Sequence, residues 1–597
     1  METRDTITSL SRGRDLLSEQ SIFGDDIEKN GTIIRGFTIG TNKDLALQSG
    51  LRLQLSGNLS EEIEVVAALT DESTPIQPEG NTESLDELDK VFIQIRHKNA
   101  IGTFGDYELN RKLGEFGKFN KKLQGLLGEF QFENHSGFFS VASAKGKFNT
   151  LNFNGQDGVQ GPYILYGINN EKEIIVIAGS EKVFIDGEEM KRGERNDYTI
   201  DYSNSQITFT PNRLITSASR ISVDFEYTDK KYIRNLFSMG GESNFFGNDL
   251  KIQYSFLREG DDQDAPIDFS LSEEDKKRLE QAGDDISKGA KSGVSMAEPD
   301  SLGKIKGTYE QKDTTINGQN TTYYFFNPGS DSAKYIVTFS YVGLNKGSYD
   351  KESLGRYLYV GENNGDYLPI IFLPLPELKQ FANLVIEYKP FKNSSLQIEL
   401  AGSSWDKNRF STRDDNNNLG YARNIQFSIS PSQINVGGVE LGRFGLSLRE
   451  RFIEDRFTSI ERFGDVEFNR GYNINLSDQD ASESLREINL SYLPMSNLTI
   501  LSNYGNLTKG DKFNSNKYQT SIDFNSPKAY LLKYNFEYVK SDFGSLSSKW
   551  FRQKGRGEYW LWNLMTEINF LAEDKKDLYN GGDSLIYGSL KYNELNP

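Results

Sequence analysis

Leu532-Lys533-Tyr534-Asn535-Phe536-Glu537-Tyr538 decides the fold. Apolar side chains take every second position and polar ones the positions between. A β-strand turns successive side chains to opposite faces, so this period of two predicts a strand with one apolar and one polar face. The pattern recurs along residues 384–592. Leu396, Ile398 and Leu400 oppose Gln397 and Glu399; Ile488, Leu490 and Tyr492 oppose Glu487, Asn489 and Ser491; Tyr518, Ile522 and Phe524 oppose Gln519, Ser521 and Asp523. Clusters of Asn, Asp, Gly, Ser and Lys break each run. Strands of this kind joined by short polar turns predict an antiparallel meander.

The 597 residues are too many for one ordinary core. With 68 basic and 86 acidic side chains the chain carries −18. That argues against nucleic acid or anionic headgroups as main partners, since both select Lys and Arg. Cysteine is absent, which excludes thiol catalysis, Cys-bound zinc and iron–sulfur clusters. His97 and His135 are the only histidines. Tyr (30) and Phe (39) are plentiful and Pro (15) scarce, as a sheet-rich chain requires. No apolar run approaches the roughly 18 residues of a membrane-spanning helix. Residues 1–20 carry Arg4, Asp5, Arg12, Arg14 and Asp15 with no apolar centre, so they do not read as a signal peptide.

Taken in order, residues 1–30 are polar and read as disordered, and 31–160 as an N-terminal antiparallel region. Turns are expected at Gly57-Asn58 and at Gly105-Asp106-Tyr107. Residues 71–89 form an acidic loop. Residues 161–229 hold five or more short strands, with Asp186-Gly187 as a hairpin signal, and read as a small β-sandwich. Residues 230–383 form a further β region. It is interrupted at about 258–303 by an exposed helix that Ser272 caps and Gly283 ends. Residues 384–597 are the meander. From Glu558 to Phe570, Trp560, Trp562, Leu564, Ile568 and Phe570 share even-numbered positions and predict one strand roughly 40 Å long. A tilted strand crossing an outer membrane needs only about 9–11 residues. The apolar faces therefore either meet lipid or cover an ordinary core, and alternation alone does not choose.

Several segments resemble a family of large outer-membrane β-proteins of Bacteroidetes–Chlorobi-type bacteria. They are IRGFTIG (34–40), LRLQLSG (51–57), ALTDESTPIQPEGNT (68–82), DKVFIQI (89–95), FNKKLQG (119–125), Gly161-Pro162-Tyr163, and 183–211 with its DYTIDY core at 197–202. Gly283-Asp284-Asp285, GDYLP (365–369) and LPLP (373–376) continue the series in the same order. A remoter similarity is to the translocon barrel of the type IX secretion system, and it is analogy only. The resemblance implies that the meander belongs to an outer-membrane β-barrel, with outer-membrane lipid and other envelope proteins as partners. It also implies a signal peptide and a longer C-terminus, so the chain reads as a segment of a longer barrel protein.

No catalytic, cofactor-binding or metal-binding residue is assigned. Asp414-Asp415-Asn416-Asn417-Asn418-Leu419-Gly420 offers alternate oxygens for Ca²⁺, but its glycine falls one place late and the twelfth position is Ile425, so a polar hairpin loop is the better reading. Asp261, Asp262, Asp264 and Asp268 form a second acidic cluster. His135 reads as a turn residue, and Gly36, Gly40 and Gly57 make no dinucleotide fingerprint because no helix follows. The pairs Asp197-Tyr198, Asp201-Tyr202 and Asp366-Tyr367 read as strand ends whose carboxylates satisfy turn backbone. Nothing shows the nucleophile–base logic of an enzyme. The expectation is a non-catalytic envelope barrel in transport, translocation or scaffolding; the alternative is a soluble or surface-attached all-β protein that binds a glycan or protein. The barrel requires Leu490, Ile500, Tyr534 and Phe536 to lie uncovered, and the alternative requires them beneath a second layer.

Overall fold

A computed structural model describes residues 27–596, less 41–42, 73–79, 83–90, 300–302, 317–318, 475–480, 527–529, 580–581 and positions 173, 230, 268, 354, 563, 583 and 587. The reading of residues 1–26 as disordered, and most of that of 71–89 as an acidic loop, fall outside the described residues.

Twenty strands form one antiparallel sheet. In chain order they are β1 (Ile27–Gly40), β2 (Lys43–Ser60), β3 (Ile63–Glu72), β4 (Val91–His97), β5 (Ala100–Leu113), β6 (Gly117–Phe132), β7 (His135–Ala144), β8 (Tyr232–Phe245), β9 (Leu250–Pro266) and β10 (Leu378–Tyr388). They continue as β11 (Ser394–Asp406), β12 (Leu419–Val436), β13 (Val439–Ile453), β14 (Glu483–Met495), β15 (Leu498–Lys509), β16 (Phe513–Ser526), β17 (Tyr530–Phe543), β18 (Leu546–Leu561), β19 (Leu564–Tyr579) and β20 (Leu590–Asn596). Each strand pairs with the next, even across the two long insertions: Phe237 faces Val141 between β7 and β8, and Leu257 faces Phe381 between β9 and β10. The fold is therefore an all-β antiparallel meander. No helix among the described residues is long and apolar enough to cross a membrane, which says nothing about strands.

The two faces of the sheet are reversed relative to a soluble protein. Glu399 is fully buried while its neighbour Leu400 is 48% exposed. Ile488 (42%), Leu490 (39%) and Tyr492 (39%) lie open on the outer side. Leu532 and Tyr518 do likewise, and Ile500, Tyr534 and Phe536 are only half-buried. Among the described residues no second layer covers these side chains.

Connections are as asymmetric as the faces. At one end they run two to five residues: 61–62, 98–99, 133–134, 246–249, 389–393, 437–438, 496–497, 527–529 and 562–563. Gly437 and Gly438 at φ 59° and 83° make one such turn, a conformation that glycine adopts without steric penalty. Every long connection lies at the other end: 73–90, 145–231, 267–377, 407–418, 454–482 and 580–589.

The connection 145–231 folds as a sandwich. One sheet centres on Arg220–Thr228, flanked by Lys147–Asn154 on one side and by Lys182–Ile185 and Ile175–Val176 on the other. The second sheet joins Tyr198–Asp201, Gln206–Phe209 and Tyr163–Ile164. Its core draws on its own residues alone, with Leu165, Val176, Val183, Ile207, Val223 and Phe225 all fully buried. Asp186-Gly187 makes the expected turn, at φ 53° and 82°.

Several expectations need correction. The sandwich takes in Lys147–Asn154, ahead of residue 161. Ile27–Asn30 already belong to β1. The turn near Gly57-Asn58 falls at 61–62 because β2 carries a bulge between Asn58 and Ser60 and runs on. Gly105-Asp106-Tyr107 lies inside β5, where Gly105 at φ 104° kinks the strand without reversing it. Residues 558–570 are two strands: the chain reverses at Trp562, which has φ 53° and is 93% exposed, so Trp560 faces Met565 across a hairpin. The meander begins at Leu378, six residues early. The insertion runs from 267 to 377 and includes small sheets besides helix α1 (Glu273–Ala282). That helix has the expected capping box, Ser272 with Asp275, but it is not a free surface element. Leu279 and Ala282 are buried, and Asn408 donates to the carbonyls of Leu279 and Gly283.

Phe225→Ala in the sandwich core is expected to destabilise it by about 3–5 kcal/mol. Limited proteolysis of the full chain should then gain cuts within 147–228 and none in the sheet.

Candidate functional site: the inner face and what crosses it

Strands distant in the sheet meet on its inner side. The turn 114–116 between β5 and β6 folds inward to β11 and β13. Glu399 accepts hydrogen bonds from the Glu115 and Phe116 amides at 2.7 and 2.9 Å, and Asn383 donates to it at 3.1 Å. The Glu115 carboxylate in turn pairs with Arg449 and with Arg451, the latter at 2.7 Å. Burial alone would raise the Glu115 carboxyl, but Arg451 and Arg449 outweigh it and hold it low.

The connection after β13 crosses the same space. Phe457 and Phe463 pack edge-on against the buried Phe116, with centroids at 5.4 and 5.3 Å. Thr458 donates its amide to Ser403 on β11, and Glu461 accepts from the Asn120 amide on β6 at 2.6 Å. A short helix, Phe468–Gly471, reaches the far wall. Arg470 pairs with Glu573 on β19 at 2.5 Å, and Tyr472 donates to Glu487 on β14 at 2.8 Å. Arg470, Arg552 and Lys575 all lie over the Trp550 ring, at 4.9, 4.4 and 5.1 Å. Trp550 thus belongs to the inner face, not to a lipid-facing aromatic stripe.

The sandwich rests on two sides of this space. At its root, Lys121 on β6 pairs with Glu226 at 2.8 Å and with Glu259 at 3.3 Å. Lys147 pairs with Asp229, Asp261 and Glu377, and Arg234 with Glu259, Asp261 and Glu377. Every member is buried or nearly so. Such a network holds only because each charge has a partner; removing one leaves the others stranded. Burial pushes the Glu226 carboxyl up against the pull of Lys121. On its other side the sandwich meets the crossing loop. Arg462 pairs with Asp224 at 2.8 Å and donates to Ser222, and Arg220 pairs with Glu467 at 3.1 Å. A cleft of ≈ 480 Å³ separates the two, lined by Asn152, Arg220, Arg462 and Asp465 among others.

The residues singled out in the sequence do not converge on this region. Asp414 and Asp415 open a polar loop in which Asp415 accepts from Asn418. Asp261 is part of the buried root, while Asp262 accepts from the Asp264 amide in a turn, and Asp268 lies outside the described residues. Among the described residues no group of three or more His, Cys, Asp or Glu side chains could hold a metal ion. His135 opens β7 and bonds Ser243 at 2.9 Å. Gly36, Gly40 and Gly57 lie in strands. The Asp-Tyr carboxylates do satisfy backbone: Asp197 accepts from Lys191, Asp201 from Ser203 and Asn204, and Asp366 from Asn345. The crossing loop was missed. Its signal is a twenty-residue break in alternation, EDRFTSIERFGDVEFNRGYN (454–473), rich in charge and phenylalanine where short turns otherwise prevail.

A family model described as a domain of unknown function, DUF8818, matches residues 148–229, which is the sandwich. No curated protein matches the chain. Among solved structures, Pseudomonas aeruginosa OpdQ is 8% identical and covers 93% of this chain and 98% of its own, at a TM-score of 0.29. OccK11 (OpdR) of the same organism is 9% identical over 93% and 95%, at 0.28. The P pilus usher (PapC) translocation pore is 11% identical over 92% and 96%, at 0.23. At these scores the likenesses carry no argument, and the fold rests on the strand pairing itself.

Glu461 supplies a pH test. Burial, only partly offset by Lys121 and the Asn120 amide, pushes its carboxyl up to about 7 from an ordinary 4.5. The folded state therefore holds this proton more tightly than the unfolded state. The stability it lends is complete below about pH 4.5 and is lost as pH rises through about 7, on the order of 3 kcal/mol in all. Glu461→Gln should flatten the decline in denaturant resistance over that interval.

Proposed function

We propose that the chain is an outer-membrane β-barrel, acting without catalysis in envelope transport or translocation, with its lumen occupied at the long-connection end. The reversal of faces carries this reading. In water, an uncovered row such as Ile488, Leu490 and Tyr492 opposite buried Arg451 and Glu399 is unfavourable on both sides. Against hydrocarbon the outer row is satisfied, and the inner charges are held by the loop and the sandwich. The reading requires β20 to close beside β1, because a lipid-exposed edge would leave backbone groups unpaired. Short turns at one end and long connections at the other are the asymmetry of outer-membrane barrels. On that comparison the short-turn end faces the periplasm. Trp562, Phe246 and Phe391 lie exposed there, where an interfacial aromatic belt belongs. The resemblance of residues 30–430 to large outer-membrane β-proteins supports the same reading.

Two measurements test it. The protein should stay in the outer membrane after carbonate washing and shift on a gel when boiled; release to the soluble fraction without a shift overturns the reading. Leu490→Arg, on the outer face, should cost about 2–4 kcal/mol of stability in lipid, whereas Asn489→Arg, one position earlier and facing inward, should cost far less.

A further inference from the structure

The sandwich is fixed to the barrel unequally on its two sides. Both of its tethers, 145–146 and 229–231, leave adjacent strands, β7 and β8, so they define one line about which it can turn. On that side the ion pairs are deeply buried: Lys121 is 2% exposed and Asp261 2%. On the opposite side the pairs are fewer: Arg462–Asp224 is about as buried as Lys147–Asp229 at the root, and Arg220–Glu467 is wetter. Arg220 and Glu467 are 37% and 30% exposed, and the cleft of ≈ 480 Å³ runs between sandwich and loop. The sandwich core is its own, but a third attachment, which release must also break, joins it to the β3–β4 connection: Ile200 bridges Gly80, the Glu194 amide donates to the Asn81 carbonyl and Arg192 to that of Thr82. Polar contacts at the loop are replaceable by water, as apolar ones are not.

Resting on the barrel reading, we propose that residues 147–228 form a hinged plug. Its root stays on β6, β8 and β9, its latch is the Arg462–Asp224 and Arg220–Glu467 contact with the crossing loop, and release of the latch opens the lumen. The path beneath is polar, with Asp523, Lys533 and Arg556 on its wall toward the short-turn end. Gln426, Ser428, Ser447, Asn489, Asn503 and Gln519 line the inner wall from β12 to β16 and hydrogen-bond largely among themselves. Such a wall, polar along β12 to β16 and charged toward the short-turn end, suits passage of a large polar cargo. Twenty tilted strands make a ring roughly 40 Å across between backbones, so a freed lumen is wide even with the loop in place.

The test is single-channel conductance in planar bilayers, on full-length protein already shown to be heat-modifiable, so that failure of the barrel reading is detected beforehand. The chain has no cysteine. A Cβ on Gly187 would lie 3.7 Å from that of Glu467, within disulfide range. Gly187→Cys with Glu467→Cys should open in large steps more often than the native chain when reduced, because Glu467 no longer pairs with Arg220, and should not conduct at all when oxidised, with bond formation read by thiol labelling. Arg462→Ala, which needs no new bond, should raise the open fraction about tenfold. Equal conductance of the oxidised and reduced pair, or an open fraction unchanged by Arg462→Ala, overturns the proposal and makes the sandwich a fixed partition.

Discussion

The structure depends on keeping charge paired where the inner side of the sheet is buried. Arg451 and Glu115, Lys121 and Glu226, and Arg234 with Glu259, Asp261 and Glu377 are all held this way. A buried charge is tolerated only with a partner in good geometry. Arg234 finds Glu259 and Asp261 on the neighbouring strand of the wall, but other partners come from the β5–β6 turn, the crossing loop and the sandwich. The inserted parts and the wall thus specify one another. Removing the sandwich would strip Lys121 of Glu226, and removing the loop would strip Asp224 of Arg462.

The same constraint explains why the outer face can be simple. Once polar groups are satisfied inward, each strand needs only apolar side chains outward. This is why alternation in the sequence is so regular from β14 to β17, and why Ile488, Leu490, Leu532 and Tyr534 could be placed on one face from sequence alone.

What the sequence made legible was local. The period of two placed strands and faces, Ser272 and Gly283 bounded helix α1, and Asp186-Gly187 marked a hairpin. Errors arose where local chemistry was ambiguous or tertiary context decided. Gly57-Asn58 has turn chemistry yet lies in a bulged strand. Trp560 and Trp562 keep the right spacing for one strand, but the chain reverses between β18 and β19 at Trp562. Long-range pairs such as Glu399 with the Glu115 and Phe116 amides, 284 and 283 residues apart, leave no trace in spacing. Neither does the inward fold of 454–473, whose loss of alternation marks only where the meander pauses.

The position of the sandwich between two neighbouring strands bears on how the sheet assembles. An unstructured connection from 145 to 231 would oppose the pairing of β7 with β8 through the entropy of a long loop. The sandwich has a self-contained core, and its first and last strands, Lys147–Asn154 and Arg220–Thr228, lie side by side and antiparallel. Its ends are therefore neighbours once it has folded. To the strands it joins, the folded insert behaves as a bridge of a few residues. Early folding of this one unit converts the most distant contact in that part of the meander into an ordinary hairpin, and lowers the effective contact order of the whole sheet.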